Sequence, residues 1–312
     1  MKKNESIFIA GHNGLIGSAI HKVFIDNDYK NINILDRSDL NLENQSQVED
    51  FFCNYKPMYV INAAGFVGGI EINKNRPGDF LRKNLLIQQN IFNSSIKNNA
   101  KKVIFFGSSC MYPNNLKRAI NEDDLLQGNI EKTSIGYALS KITGIYSCLL
   151  FNEQYKKNIF IPLIPNSIYG PNDNFDIGSS HVLSALISKF HSAKIKNEQS
   201  VTLWGSGTPR REFIYVDDLA EICLLILTGK VNINSLPINI GTGEDISIKE
   251  LSLIVSRVVG YSGNILWDKS KPNGTMRKLL DSSKLHSYWK PKTSLISGIE
   301  KTYDWYKKFI DI

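Results

Sequence analysis

Short apolar runs alternate with amphipathic stretches over the first half of the chain. The runs fall at 6–10, 32–35, 59–63, 103–107 and 159–164. Between them, apolar residues recur at helical spacing over 15–26, 45–55, 79–98 and 137–155. Such alternation predicts βαβ units around a parallel sheet. Continuous apolar strands suit a sheet covered on both faces. After Pro165 the rhythm changes. Residues 169–180 are rich in Gly, Pro, Asn and Ser and predict a loop, and a helix is expected over 181–194. Short strands at 201–204 and 212–215 flank the turn Gly205-Ser206-Gly207, followed by a helix over 217–227 and a strand over 238–240. The remainder, 246–312, mixes helices with a Pro/Gly-rich loop at 271–274. The expected fold is α/β: a Rossmann-type doubly wound parallel sheet with a smaller, discontinuous C-terminal α/β substrate lobe. Residues 1–165 plus 213–240 are assigned to a dinucleotide-binding domain, and 166–212 plus 241–312 to the lobe.

Composition narrows the class. The chain has 312 residues, 42% hydrophobic and 21% charged, which excludes a disordered or coiled-coil protein. Its net charge of +7 is spread along the sequence with no basic-aromatic repeat. That argues against nucleic acid and suits an anionic small molecule such as a nucleotide. The longest apolar runs, such as 222–227, fall far short of the roughly 20 residues that span a bilayer. The apolar stretch behind the basic start is only 7–10, too short for a signal peptide. A cytoplasmic protein without membrane contact is expected. None of Cys53, Cys110, Cys148 and Cys223 forms a CxxC or zinc-spaced cluster, so neither a metal site nor a disulfide is expected.

The first apolar run leads straight into Gly11-His12-Asn13-Gly14-Leu15-Ile16-Gly17. Three glycines after a strand and at a helix start permit a tight turn, close backbone approach to a pyrophosphate, and tight helix–strand packing. The helix N-terminus supplies N–H groups and a favourable dipole. The second run ends at Leu35-Asp36-Arg37. An acid here binds ribose hydroxyls, whereas an arginine accepts a 2′-phosphate. Asp36 and Arg37 point opposite ways and leave NAD and NADP both open.

Tyr137-Ala138-Leu139-Ser140-Lys141 places a phenol and an ammonium one helical turn apart. A nearby cation favours the phenolate, so the phenol is expected to exchange protons near neutrality. Gly107-Ser108-Ser109-Cys110 ends a strong apolar strand, where open α/β sheets bind ligands. A Ser108 hydroxyl there can hold a carbonyl oxygen beside Tyr137. With the glycine turn, the set points to hydride transfer between a nicotinamide and a carbonyl or alcohol.

On these residues the chain resembles the extended short-chain dehydrogenase/reductases, and among them the GDP-L-fucose synthase family. The likeness runs nearly full length through IAGHNGLIGSAI, VGGI, FFGSSCMYP, LLQG, YALSK, YGPNDNF, SSHV, WGSGTPRREFIYVDD, NIGTG and KPNGTMRKLLD. It implies an NADP(H)-dependent 3,5-epimerase and 4-reductase acting on a GDP-4-keto-6-deoxyhexose, and a homodimer pairing the helices at 79–98 and 137–155. It implies that Cys110 and His181 are the acid/base pair at C3 and C5. Tyr137 would protonate the C4 oxygen, Ser108 would bond it, and Lys141 would also contact the nicotinamide ribose. Asn166 (with Ser167 beside it) and His181 would meet the cofactor. Lys189, Trp204, Arg211 and Asn273 would hold the sugar nucleotide, with Arg211 as a diphosphate clamp. Trp204 alone is equally readable as core.

Several positions depart from the family pattern. Leu35 stands where an arginine is usual, Phe66 replaces a lysine, Lys189 an arginine, and Asn273 an aspartate. These changes cluster at expected ligand contacts. They leave NAD(H) open as cofactor, and a related GDP-sugar of the colitose or deoxy-heptose type open as substrate.

Overall fold

The computed structural model describes residues 1–312 apart from 115, 177, 234, 235, 272, 311 and 312. Two of the predicted loops thus each contain one residue, Ile177 or Pro272, outside the described residues. The chain opens with β1 (Ile7–Ala10), α1 (Leu15–Asp26), β2 (Ile32–Asn33), α2 (Gln45–Tyr55), β3 (Tyr59–Asn62), α3 (Ile70–Asn75), α4 (Pro77–Lys97) and β4 (Lys102–Phe106). It continues through α5 (Ile135–Tyr155), β5 (Phe160–Pro165), β6 (Ser167–Tyr169), α6 (Val182–Ile195), β7 (Ser200–Trp204), β8 (Arg210–Arg211), β9 (Phe213–Tyr215) and α7 (Val216–Thr228). It ends with β10 (Ile238–Ile240), β11 (Ile246–Ser247), α8 (Ile248–Val259), β12 (Asn264–Asp268), β13 (Arg277–Lys278), α9 (Ser283–His286) and α10 (Leu295–Ile310).

Six parallel strands form the main sheet in the order β10-β5-β4-β3-β1-β2. The chain leaves β1 toward β2 and returns to β3 on the other side, so the order reverses between β1 and β3. That reversal opens a crevice at the carboxyl ends of the strands. Side chains alternate across the sheet. Ile7 and Ile9 of β1 enter the core beneath α1 and α7, while Phe8 and Ala10 enter the core beneath α2, α4 and α5. A third core joins Leu186 and Phe190 of α6 to Leu203, Leu251, Val255 and Ile299. Three smaller sheets lie outside the main one: β11-β8-β13, β12-β7 and β6-β9. Leu285 and Trp289, far along the chain, pack beneath the main sheet rather than in the third core.

Most predicted elements recur within a residue or two. The second strand is shorter than predicted, because Ile34 is part-exposed and Leu35 turns to a cavity. The helix expected from 79 starts at Pro77, whose fixed φ suits a first turn. Tyr169, expected in a loop, closes β6, and His181 is the N-cap of α6 rather than its first turn. One helical stretch among the described residues, Lys132–Tyr155, is long and apolar enough to cross a membrane, contrary to the sequence expectation. In the fold it is a core element: Ala138, Ile145 and Cys148 are fully buried against β4, β5 and α4.

Candidate functional site

A single cavity of about 1010 Å³ runs along the sheet's carboxyl edge, from the β1 turn to the third core. Its first end is the glycine turn. Gly11 has φ +79, and a Cβ there would lie 2.7 Å from the Ala64 nitrogen. A Cβ on Gly17 would collide with the Gly11 carbonyl. Gly17 therefore works through packing and does not line the cavity, whereas Gly11, Gly14, Leu15 and Ile16 do. Gly14 caps α1 without a side-chain hydrogen bond, so the first N–H groups of the helix stay open to a ligand.

At the ribose end, the predicted contacts divide. Arg37 and Leu35 line the cavity; Asp36 and Asn13 do not. The Asn13 amide donates to the Asp36 carboxylate at 2.6 Å, and the His12 ring lies 3.7 Å from the same oxygen. Asp36 is held by the turn rather than by the cavity wall. The Arg37 guanidinium pairs with Glu43 at 2.8 Å, and Arg82 approaches the same carboxylate. Open glycine-turn amides, a cavity-facing arginine and the buried, unpartnered Oδ1 atoms of Asn62 and Asn166 on the cavity wall fit a phosphorylated dinucleotide.

At the centre, β4 leads into Gly107 and Ser108, and a 3-10 turn over Ser109–Met111 follows. The Ser108 hydroxyl accepts from the Cys110 N–H at 3.4 Å and lies near enough to the Tyr137 phenol and the Cys110 thiol to favour the charged form of each. Tyr137 and Lys141 project from α5, with the lysine Nζ 5.7 Å from the phenol ring centroid and 4.9 Å from that of Phe105. Burial brings the lysine down to about 8, partly offset by the Cys110 and Cys148 sulfurs. Burial likewise pushes the Tyr137 phenol up, the Cys110 charge adds to this, and Ser108 opposes it. This corrects the expectation of a lysine-lowered phenol: loss of solvation raises it instead. Burial also raises Cys110, against the pull of Lys278, Ser108 and Lys141. The site at rest thus holds a neutral phenol and a neutral thiol.

His181 lines the same cavity. Its approach is fixed by backbone contact between two loops: the Gly69 N–H donates to the Ser179 carbonyl at 2.9 Å. A Cβ on Gly69 would press on the Ser179 and Ser180 carbonyls at 3.1 and 3.2 Å. The Gly69 loop is in turn pinned by Asn84, which accepts from Phe66 N–H and donates to the Phe66 and Phe80 carbonyls.

The far end is cationic. Lys189, Arg211 and Lys278 line it, and burial lowers the pKa of each. Trp204 is 58% exposed, with Lys189 and Lys271 at 5.8 and 5.5 Å from its ring, so it is not core. Asn273 Oδ1 accepts from the Ser206 backbone at 2.8 Å and braces the turn after Trp204. Asn166 is buried and donates to Glu212, a carboxylate of zero exposure. Glu212 also accepts from Gly243 N–H at 2.7 Å and Leu280 N–H at 3.0 Å, joining three segments behind the cavity. Sequence reasoning missed Lys278, Glu131 and Asp173 on the cavity wall, and Glu212 behind it. The motif stretches RKLLD and YGPNDNF held the only signal for Lys278 and Asp173.

A strand-order reversal with a glycine turn, joined to a Ser-Tyr-Lys cluster, defines an extended short-chain dehydrogenase/reductase. The profile of the NAD dependent epimerase/dehydratase family matches residues 7–241. The chain is 45% identical to GDP-L-fucose synthase 1 of Arabidopsis thaliana over 98% of this chain and 94% of that one. It is 42% identical to GDP-L-fucose synthase of Escherichia coli, covering 97% and 96%. A solved structure of MlghC, a GDP-mannoheptose C4 reductase from Campylobacter jejuni with NADP bound, superposes with TM-score 0.90 at 39% identity over 98% and 99%. The chain belongs to the NAD dependent epimerase/dehydratase family, in its GDP-L-fucose synthase branch.

Proposed function

We propose that the protein is an NADPH-dependent 3,5-epimerase and 4-reductase that converts GDP-4-keto-6-deoxy-D-mannose to GDP-L-fucose. The observation that carries this reading is one cavity lined by Ser108, Cys110, Tyr137, Lys141 and His181 together. A C4 ketone acidifies the hydrogens on C3 and C5. Cys110 and His181 serve as the acid/base pair, one removing each proton and the other returning one to the opposite face. Lys278 and Lys141 favour the Cys110 thiolate against the burial that raises this thiol. The reduced dinucleotide, when bound, supplies the hydride that ends on C4. Tyr137, neutral at rest, is already the acid that reduction requires, and it delivers its proton to the C4 oxygen while Ser108 holds that oxygen. Lys141 then stabilises the phenolate. Lys189 and Arg211 take the diphosphate, Trp204 and Asn273 the nucleoside end, and Asn166 the nicotinamide side.

NADPH is favoured because Arg37, not Asp36, faces the cavity, and the Campylobacter relative holds NADP. The free cysteines suit a reducing compartment, and we place the protein in the cytoplasm. Leu86 on α4, with Leu139 and Leu150 on α5, leaves apolar area exposed on the paired helices, which supports a homodimer across that face. The test is turnover of GDP-4-keto-6-deoxy-D-mannose with NADPH in heavy water, read by mass spectrometry and NMR. Deuterium at C3 and C5 of a reduced product is the expected result. Reduction without deuterium would make the protein a C4 reductase like the Campylobacter relative. No reduction, with turnover instead of a colitose- or heptose-type GDP-4-keto sugar, would move the substrate.

A further inference from the structure

At the end of the second strand of such a sheet, an acid accepts from the adenosine ribose hydroxyls and an arginine takes a 2′-phosphate. The acid that the chain carries there is Asp36, but its carboxylate is turned to the Asn13 amide and does not line the cavity. A different carboxylate does. Glu43 lies on the cavity wall together with Leu35 and Arg37. Its side chain is 15% exposed, against 72% for Arg37, so the acid is the fixed partner and the arginine the movable one. Three contacts hold the segment that carries it. Asn41 Oδ1 accepts from the Glu43 N–H at 3.1 Å, Gln47 Oε1 accepts from the Asn41 N–H at 2.9 Å, and the Asn90 amide donates to the Leu42 carbonyl at 2.9 Å. The two carboxylate oxygens are divided between cations: Oε1 accepts from Arg37 at 2.8 Å, and Arg82 lies 3.6 Å from Oε2.

We propose that Glu43 is a specificity-determining residue that opens the ribose end of the cavity to NAD(H) beside NADP(H). A 2′-hydroxyl donates to the Glu43 carboxylate, the acceptor that Asp36 does not provide. A 2′-phosphate competes with Glu43 for the Arg37 guanidinium, and it stands near the carboxylate as a like charge. Arg82 remains beside Oε2 in both cases, so Glu43 is never left as an unpaired charge. This inference deepens the reading of the cavity as a dinucleotide site and rests on that reading.

Glu43→Gln is the informative change, because the amide keeps the size of the side chain and a carbonyl oxygen while the charge is lost. Calorimetric titration of NADP⁺ and of NAD⁺ reads the two affinities without turnover. ADP against its 2′-phosphorylated form confines the same comparison to the ribose end. The wild type is expected to bind both dinucleotides, a result that needs no variant. Glu43→Gln should bind NADP⁺ about 10-fold more tightly, as a like charge is removed. It should bind NAD⁺ about 10-fold more weakly, as a charged acceptor becomes a neutral one. Equal shifts for both dinucleotides would mean that Glu43 only braces its loop. A variant that loses NADP⁺ affinity would mean that the carboxylate aims Arg37 at the phosphate, and unchanged affinities would mean that it meets neither ribose; each overturns the inference. A wild type with saturable binding of NADP⁺ and none of NAD⁺ overturns this inference alone. A wild type that binds neither overturns the dinucleotide reading with it.

Discussion

Replacing Lys141 with methionine is expected to stabilise the ligand-free protein while abolishing turnover. Lys141 is 6% exposed, and among the described residues its Nζ has neither a hydrogen-bond acceptor nor an ion-pair partner. Its charge is relieved only by the rings of Phe105 and Tyr137 and by two sulfurs. Burial lowers it from 10.5 to about 8. At about 1.4 kcal/mol per pKa unit, the buried cation costs on the order of 3 kcal/mol at pH 7. Methionine fills nearly the same volume without a charge. Lost ring contacts give back about 1 kcal/mol, leaving a net gain of about 2 kcal/mol. For a chain of this length, that corresponds to a melting point higher by about 3 °C. The pH dependence carries the diagnostic sign. A lysine whose folded pKa is depressed destabilises fully below about 8, and the penalty disappears as pH rises toward 10.5. The advantage of the methionine variant should therefore be constant below pH 8 and shrink above it. Calorimetry from pH 6.5 to 10 reads this directly. Saturating dinucleotide should reverse the order, because only the wild-type ammonium gains a ligand partner. A methionine variant that melts below wild type at pH 7, or an advantage indifferent to pH, would refute the reasoning.

Tyr137→Phe is expected to lower kcat by about 10²- to 10⁴-fold while leaving dinucleotide affinity and deuterium exchange at C5 in place, since exchange precedes reduction. Fluorescence titration and NMR exchange check the two halves. Glu212→Ala leaves the Asn166 amide and the Gly243 and Leu280 N–H groups without their acceptor. At about 1–3 kcal/mol for each buried orphan, unfolding in urea should show a loss of several kcal/mol. Leu139→Glu with Leu150→Glu places charge on the exposed face of α5. Light scattering should then report a monomer where a dimer is expected of the wild type; an unchanged dimer mass would move the interface elsewhere.

How much of this was legible in the sequence depends on where a residue's neighbours come from. The main sheet was legible because each central strand is apolar on both faces, as Phe8 and Ile9 entering different cores require. The glycine turn and the Tyr137–Lys141 spacing were legible because each is a local geometry, fixed by one turn or one helix. Lys278 was not. It sits in a two-residue strand paired with β8, where no periodicity exists, and its charge acts on Cys110 across the fold. Glu212 was hidden for the same reason: its donors lie 46, 31 and 68 residues away. Spacing also misled where burial decides. Lys141 one turn from Tyr137 suggested a lowered phenol, yet both groups lose water together, and desolvation raises one and lowers the other. The consequence is functional. On the role proposed for Tyr137, the proton needed at the C4 oxygen rests on it in the free protein, and Lys141, brought down to about 8, would respond when that proton leaves. A pair with the opposite bias, phenolate beside ammonium, would favour alcohol oxidation. Burial thus decides which of the two groups holds a proton firmly in the free protein, a property that no residue spacing encodes.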